Sequence, residues 1–416
     1  MDEAKLFCIA KRDVWVAYKR VKANRGTAGV DGQSIAEFEE DLGNNLFKIW
    51  NRMVSGSYIP PPVRRVEIPK GPGTTGTRPL GIPTISDRIA QMVAKRYLEP
   101  ILEPVFHEDS YGYRPGRSAH DALGVARQRC WRRDWVLHLD IKSFFDSVDH
   151  ELLMRAVRRH TDCKWVLLYI ERWFKAPVCM PEGTLVSRDR GTPQGSVVSP
   201  ILANLFLHYA FDHWIRKHQS DIGFERYADD VVCHCRTEAQ AQTLREALKG
   251  RFAECQMELH PQKTKIVYCK DANRHGSYPQ QRFDFLGYTF RPRTSMNREG
   301  KLFVSFAPAI SGKAAKTIRL RVRRWKLHHH NDLDLSEIAR WTRPMLLGWI
   351  QYYGRFHRSK LRGALRTLDH FIVRWAQRKY KRLRGRLMSA WDWLRRLQTR
   401  QPTLFAHWLT EVTVGR

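Results

Sequence analysis

Residues 224–235 read Phe-Glu-Arg-Tyr-Ala-Asp-Asp-Val-Val-Cys-His-Cys, which is two short apolar runs joined by a tight turn. Aromatic and β-branched residues favour strands, so the pattern predicts a hairpin of strands Phe224–Tyr227 and Val231–Cys235. An Asp-Asp pair taken alone is more often an ordinary turn than a functional site. Asp229 and Asp230 are informative because an apolar hairpin holds them, and a buried carboxylate is costly unless it is paired or bound to metal.

A third carboxylate ends another apolar strand. The run Trp-Val-Leu-His-Leu before Asp140 predicts a strand over residues 136–141. Neighbouring strands of a sheet lie roughly 5 Å apart, so carboxylates at two strand ends can share one site. Mg²⁺ prefers hard oxygen ligands and often binds through one or two carboxylates. The sequence therefore predicts a divalent-metal site formed by Asp140, Asp229 and Asp230.

Helices and strands alternate around these carboxylates. A basic segment over residues 63–70 lies between proline-rich and glycine-rich stretches, which predicts a hairpin with a flexible tip. A further strand is predicted over residues 283–290. Capping signals predict helices that begin at Ser86-Asp87, after Asp149, at Ser199-Pro200 and at a capping box of Thr237 and Gln240. This order of elements predicts an α+β fold in which helices cover a sheet.

The net charge of +30 predicts a polyanionic partner, because lysines and arginines that neutralise phosphates release condensed counterions. Residues 301–416 hold 26 Lys and Arg against 6 Asp and Glu, so this region is the stronger candidate for binding nucleic acid. Basic helices are predicted there over residues 318–327, 336–356 and 368–382. We expect a domain boundary between residues 295 and 296, where the sequence changes to long basic helices.

Other classes of protein are disfavoured. The eight cysteines include no Cys-x-x-Cys pair, so we expect no disulfide and no structural metal. Core packing on a strand is a better interpretation of Cys233-His234-Cys235 than a zinc site. The longest apolar runs are too short to span a bilayer, and the acidic first residues do not resemble a signal peptide. We expect a cytoplasmic protein without a membrane partner.

Several motifs together resemble a known family. Tyr227-Ala228-Asp229-Asp230 resembles the catalytic hairpin of reverse transcriptases, and Asp140-Ile-Lys-Ser-Phe-Phe-Asp146 resembles their first catalytic motif. Further segments, in family order, are similar to motifs of reverse transcriptases and of the maturases encoded by group II introns: Gly29-Val-Asp-Gly32, Arg78-Pro-Leu-Gly-Ile-Pro83, Tyr111-Gly-Tyr-Arg-Pro-Gly-Arg-Ser118, Gly191-Thr-Pro-Gln-Gly-Ser-Val-Val-Ser-Pro200, Phe285-Leu-Gly-Tyr288 and Leu347-Gly-Trp-Ile-Gln-Tyr-Tyr-Gly354. Any one tetrapeptide could be accidental, but the ordered set is specific.

The resemblance implies a right-hand polymerase. Residues 1–295 would form fingers and a ferredoxin-like palm, residues 296–385 a helical thumb (maturase domain X), and residues 386–416 a short basic tail that resembles a DNA-binding segment. The cysteine- and histidine-bearing endonuclease of many relatives is expected to be missing. Asp140, Asp229 and Asp230 would hold two Mg²⁺ ions, which together activate a primer 3′-hydroxyl and neutralise the reacting phosphate.

The resemblance also assigns the surrounding residues. Those implied to bind the incoming nucleotide are Lys70, Arg78, Ile141, Phe145, Gln194, Gly195 and Lys263. Phe145 would be a gate that collides with a 2′-hydroxyl, and we expect Phe144 to be a core residue, because neighbouring strand side chains point oppositely. The primer grip would be Phe285, Leu286, Gly287 and Tyr288. The bland alternatives are an empty Gly-Pro turn for Gln194 and Gly195, and solvated cations for Lys70, Arg78 and Lys263.

In the predicted thumb, Trp349, Tyr352 and Tyr353 share one helical face, for which we expect core packing between thumb helices. The cations expected to contact RNA phosphates are Arg355, Arg358, Lys360, Arg374, Arg378, Lys379, Arg382 and Arg384. The resemblance thus implies an RNA-directed DNA polymerase that also assists intron splicing, with template and intron RNA, a DNA primer or target, and deoxynucleotides as partners. Two alternatives stay open: a domesticated reverse transcriptase in defence or repair, and a non-enzymatic RNA chaperone.

Overall fold

The computed structural model describes residues 6–69, 71, 76–297 and 299–409. The α-helices are Lys11–Ala23, Ile35–Glu40, Leu42–Val54, Ile85–Leu102, Ala119–Arg132, Phe144–Ser147, His150–Arg158, Lys164–Lys175, Ser199–Leu207, His213–His218, Glu238–Glu254, Gly312–Arg324, Leu335–Tyr353, Arg358–Lys379 and Leu387–Arg400. Short 3₁₀ turns span Glu103–Val105, Leu327–His329 and Lys381–Leu383, and a π-helical stretch spans His208–Asp212. Helices combined with three sheets confirm the predicted α+β class.

Within the described residues, the strands form three sheets. The sheet that carries the carboxylates has the order Gly223–Tyr227, Asp230–Cys235, Trp135–Asp140 and Lys265–Tyr268. A second sheet has the order Thr77–Ile82, Val63–Pro69, Val178–Cys179 and Leu185–Val186. The third has the order Leu302–Ile310, Tyr288–Met296 and Phe283–Phe285.

The described residues divide into two compact units. The first contains residues 6–69, 76–122 and 136–266, and the second contains Gly71, residues 123–135 and residues from 267 onward. This division differs from the predicted functional boundary between residues 295 and 296, which stays a prediction. Within the described part of the chain, no helix is both long enough and apolar enough to cross a bilayer.

The core of the first unit explains the first sheet. Val136, Leu137 and Leu139 are buried on one strand, and Val231 and Val232 on its neighbour, so both strands have the near-continuous apolar pattern of a sheet covered on both faces. Cys233 and Cys235 are buried as predicted. His234 between them is also buried, and its Nε2 lies 2.6 Å from Glu225 Oε2, so one ring nitrogen is paired with a buried carboxylate.

Several predicted element boundaries need correction. The helix predicted to begin at Ser86-Asp87 begins at Ile85, because the Thr84 hydroxyl accepts the Asp87 N–H and is the N-cap. Thr237 caps its helix, but the Gln240 side chain accepts from Arg236 N–H, so the predicted capping box is only half formed. The helix predicted over residues 368–382 already begins at Arg358.

The second unit has a helical hydrophobic core. Leu365, Leu368 and Trp375 of the helix Arg358–Lys379 pack in it together with Phe405 and Trp408. The Trp408 indole N–H also donates to buried Asp369 Oδ1 at 2.9 Å. The described part of the predicted tail is therefore packed into the helical core, and its DNA-binding role stays a prediction.

Candidate active site

A cavity of about 600 Å³ in the first unit gathers most of the predicted site residues. Its lining includes Arg78, Asp140, Ile141, Phe145, Gln194, Gly195, Asp229 and Lys263. Its size is within the range of small-molecule sites. Lys70, also predicted to bind the nucleotide, lies outside the described residues.

The Asp-Asp hairpin has a two-residue turn. Tyr227 pairs with Asp230 across the strands, which leaves Ala228 and Asp229 at the tip. Ala228 has a φ of 57°, a left-handed conformation that L residues adopt at a cost. The strain is held by close packing from outside, because a Cβ on Gly112 would lie 2.5 Å from Ala228 N. The neighbouring loop therefore needs glycine there, and the turn is fixed where the carboxylates begin.

Asp229 and Asp140 face the same cavity. Burial raises the pKa of Asp229, and the charges of Asp230 and Asp140 raise it further while Arg78 opposes them. Asp140 is held by Lys263, whose Nζ lies 3.3 Å from each carboxylate oxygen. A buried carboxylate with like charges beside it is a fitting place for a divalent cation, which would relieve that repulsion.

The protein supplies few side-chain ligands for such a cation. The described residues contain no group of three or more His, Cys, Asp or Glu side chains that could hold a metal ion. Mg²⁺ usually takes one or two carboxylates and completes its shell with water and substrate phosphates, and Asp140 with Asp229 fits that pattern. These two residues would therefore hold the ion together with a bound nucleotide.

Asp230 is not among the residues that line the cavity, in contrast to Asp229. Its Oδ1 lies 2.9 Å from His138 Nε2 on the adjacent strand. The sequence did not single out His138, although its position two residues before Asp140 places both side chains on the same face of that strand. His138 is thus an additional residue that orients the acidic cluster.

A buried polar cluster beneath the turn was also missed. Arg226 is fully buried and makes a bidentate pair with buried Asp212, with nitrogen–oxygen distances of 2.7 and 2.6 Å. The remaining guanidinium nitrogen donates to Asn204 Oδ1 at 3.0 Å and to the Ala228 carbonyl at 3.2 Å. Arg226 therefore ties the Ala228–Asp229 turn to the helix that contains Asn204. Only its place just before Tyr227 could have signalled this role.

Phe144 and Phe145 differ as predicted, but for another reason. Both lie on the short helix Phe144–Ser147, which begins after Ser143 with a φ of 48°, and not on a strand. Both residues line the cavity, but Phe144 is only 2% exposed, whereas Phe145 is half-buried. The argument from alternating strand faces is wrong, because the chain leaves the strand at Asp140. The two side chains differ in burial, although their ring centroids lie only 5.3 Å apart.

Gly195 is required by the protein itself. It has a φ of 109°, and a Cβ there would lie 2.5 Å from the Gly81 carbonyl oxygen. Gly81 N–H donates to the Gln194 carbonyl at 2.6 Å, so the segment before Val197 lies directly against the strand Thr77–Ile82. The glycine permits a close approach of two backbones, whereas we expected a close approach to a nucleotide.

The predicted primer grip lies in the second unit. The strand predicted over residues 283–290 is wrong, because Leu286 and Gly287 have φ values of 49° and 78° and form a tight turn between two strands. The Tyr352 hydroxyl donates to the Leu286 carbonyl at 2.9 Å, and the Tyr288 hydroxyl donates to the Tyr352 carbonyl.

The aromatic residues of the predicted thumb motif therefore pack against two different parts of the second unit. Trp349 stacks on Trp325 with ring centroids 5.8 Å apart, which confirms packing between helices of the second unit. Tyr352 and Tyr353 instead contact Tyr288, with centroids 5.9 and 5.7 Å away. Their helix thus supports the turn at Leu286-Gly287 in addition to the core.

All eight cations predicted to contact RNA are exposed. Two of them already serve the fold: Arg378 donates to the His328 carbonyl at 3.1 Å, and Lys379 donates to the carbonyls of Asn331 and Leu333. Arg355, Arg358 and Lys360 form no side-chain hydrogen bond or ion pair within the described residues. These three are therefore better candidates for contacts with a partner than Arg378 and Lys379 are.

Comparison with known protein families gives two matches. The family described as reverse transcriptase (RNA-dependent DNA polymerase) matches residues 68–290, more than half of the chain. The maturase-specific domain of group II introns matches residues 315–391. The first match contains the cavity and all three predicted aspartates, Asp140, Asp229 and Asp230, and the second contains all eight cations predicted to contact RNA.

Individual relatives agree with these matches. Protein YkfC of Escherichia coli (strain K12) is 34% identical over 299 residues, which cover 63% of this chain and 75% of YkfC. The group II intron-encoded protein LtrA of Lactococcus lactis subsp. cremoris is 28% identical over 354 residues, covering 69% of this chain and 57% of LtrA. Nuclear intron maturase 1 of Arabidopsis thaliana is 27% identical over 182 residues, 40% of this chain and 26% of that protein.

Proposed function

This chain belongs to the family of reverse transcriptases, the RNA-directed DNA polymerases, and carries the maturase-specific domain of group II introns, and from that premise we propose which residues perform the reaction. Deoxynucleotides would be added to a primer in the cavity lined by Asp140 and Asp229. The main support is that this cavity also contains Arg78, Phe145 and Gln194, which are groups suited to a triphosphate, a sugar and a base. No observation favours the two alternative functions.

Divalent metal ions are used by this family, and we propose two Mg²⁺ ions as the cofactor. Bound there, they would lower the pKa of the primer hydroxyl and neutralise the charge of the transferred phosphate. Asp140 and Asp229 would hold them, and His138 would keep the Asp230 carboxylate oriented beside them. Arg78 and Lys263 would bind phosphate oxygens by charge-assisted hydrogen bonds, which keeps the leaving group in line.

Primer extension tests this function directly. The purified chain should extend a DNA primer on an RNA template when Mg²⁺ and deoxynucleotides are supplied, and it should stop when a chelator removes the metal. Protein that binds the primer–template without extending it would reject the polymerase proposal and leave the RNA chaperone.

Phe145→Ala should reduce the preference for deoxynucleotides. The half-buried ring lines the cavity, and its removal opens space for a 2′-hydroxyl. A pocket that rejects one hydroxyl sterically discriminates by on the order of 100-fold, and most of that factor should disappear. The ratio of kcat/KM for dNTP and rNTP measures it. Phe174→Leu is the control, because Phe174 is also a buried phenylalanine and does not line the cavity. Equal sugar preference in both variants would contradict the assignment.

We further propose that the second unit binds intron RNA through its exposed cations. Replacing Arg355, Arg358 and Lys360 together by glutamine should lower the slope of log affinity against log salt by about 2, because each single-stranded phosphate contact contributes roughly 0.7. Salt titration of RNA binding measures the slope. The comparison is the variant in which Arg378 and Lys379 are both replaced by glutamine. Because these two side chains donate to backbone carbonyls, their loss should lower thermal stability more than it lowers the salt slope. The reverse ranking would place the RNA elsewhere.

A further inference from the structure

A buried chain of hydrogen bonds leads from Asp87 to the segment that follows Gln194. Asp87 is 1% exposed in the first turn of the helix Ile85–Leu102, and Gln91 lies one turn later on the same face. Gln91 Nε2 donates to Asp87 Oδ2 at 2.8 Å. At its other end, Gln91 Oε1 accepts from the Ser196 hydroxyl at 2.5 Å, from Val197 N–H at 2.8 Å and from Val198 N–H at 3.4 Å.

These donors occupy a sensitive place in the fold. Ser196 and Val197 directly follow Gln194 and Gly195, which line the nucleotide cavity. Val198 is the N-cap of the helix Ser199–Leu207, where backbone N–H groups have no partner within the helix. Gln91 therefore supplies from a neighbouring helix the acceptor that the start of this helix lacks.

Asp87 determines which groups donate and which accept along this series of hydrogen bonds. Its Oδ1 accepts from the Tyr58 hydroxyl at 2.9 Å and from the Trp173 indole N–H at 2.8 Å, so every side-chain partner of the carboxylate is a donor. Burial raises the pKa of Asp87 to about 6, and these three donors oppose that shift by stabilising the charged form. An acceptor-only group on one side forces the Gln91 amide to turn its oxygen towards the other side.

We propose that Asp87 and Gln91 are positioning residues, an Asp87–Gln91 relay that holds Gln194 and Gly195 where they bind the incoming nucleotide. The inference rests on the proposed function, because it takes the cavity to be the nucleotide site. Neither side chain lines that cavity, so their effect is exerted through the backbone of residues 196–198. A purely structural role would lower stability without a selective change in the KM for nucleotide.

Inverting the polarity of the relay tests it. Asp87→Asn presents an N–H₂ group to the Gln91 N–H₂ group, and Gln91→Glu sets two carboxylates against each other. Each single variant should raise the KM for dNTP about tenfold, because one buried hydrogen bond is mismatched. The double variant again pairs a donor with an acceptor, but reversed, because the asparagine at position 87 now donates and the glutamate at position 91 accepts, with the same net charge as wild type. Its KM should return to within about twofold of wild type.

Tyr58→Phe is the matched control. It removes an equally buried hydrogen bond from Asp87, but from Oδ1, on the side away from Gln91. It should lower thermal stability and leave the KM unchanged. The relay is rejected if Asp87→Asn raises the KM no more than Tyr58→Phe does, or if the double variant fails to recover. Where a single variant does not fold, recovery of the double variant alone decides.

A measurement without catalysis separates this inference from the proposed function. Amide hydrogen exchange of the peptide containing Val197 and Val198 should become at least about tenfold faster in Gln91→Met, because the two N–H groups lose their acceptor. Unchanged exchange would overturn the relay. If the wild-type protein extends no primer, the polymerase proposal fails, while the exchange result still judges the relay.

Discussion

Asp229→Asn should abolish primer extension and leave RNA affinity nearly unchanged. The carboxylate faces the cavity with Asp140, and its amide replacement cannot supply the charge that binds a divalent ion. Metal ions contribute several kcal/mol of transition-state stabilisation, so kcat should fall by about 10³-fold or more. Single-turnover extension measures the loss, and a filter-binding titration with the same primer–template measures the affinity.

The hairpin offers a graded comparison. Asp230 lies against His138 Nε2, and an amide oxygen at that position can still meet an imidazole N–H. Asp230→Asn should therefore lose less activity than Asp229→Asn. Glu258→Gln is the isosteric control, because this exposed carboxylate pairs with Lys142 and does not line the cavity. A fall in RNA affinity that matches the fall in kcat would mean that Asp229 is structural.

The sequence predicted the carboxylates well because their signals are local. A strand that ends in Asp140 and a hairpin that presents Asp229 follow from apolar runs and a turn within a few residues. The meeting of these two segments is not local; it was inferred from the spacing of neighbouring strands in a sheet, and the family resemblance supported it. The burial of Phe144 was predicted correctly from a wrong conformation, because the chain turns into a helix at Ser143.

The residues that position the site could not be predicted in the same way. Gln91 contacts Ser196 across 105 positions, and Arg226 contacts Asp212 through a helix that changes to π geometry at His208. Because Gln, Asp and Arg side chains are usually exposed, residue type alone predicts that they lie at the surface. Their burial is decided by the packing of distant segments. The break at Leu286 and Gly287 was missed for a related reason, because flanking aromatics on both sides look like one strand.

Arg226→Met should be the most destabilising change among these residues. The substitution leaves the fully buried Asp212 carboxylate without its bidentate partner, and breaking a buried pair costs about 3–5 kcal/mol of unfolding free energy. Burial alone would raise the pKa of Asp212, but the charge of Arg226 and its hydrogen bonds lower it. The stabilisation is therefore present above the usual pKa of about 4 and is lost as pH falls through the lower folded value.

Replacing both partners separates stability from catalysis. Arg226→Met with Asp212→Leu leaves no unpaired charge, so urea unfolding should show the double variant more stable than Arg226→Met. Primer extension should not recover with it, because the Arg226 bond to the Ala228 carbonyl is still missing and the turn that presents Asp229 has lost that support. Arg155→Met, at an exposed pair with Glu151, should cost less than about 1 kcal/mol. Full activity in the double variant would show that the turn holds Asp229 without Arg226.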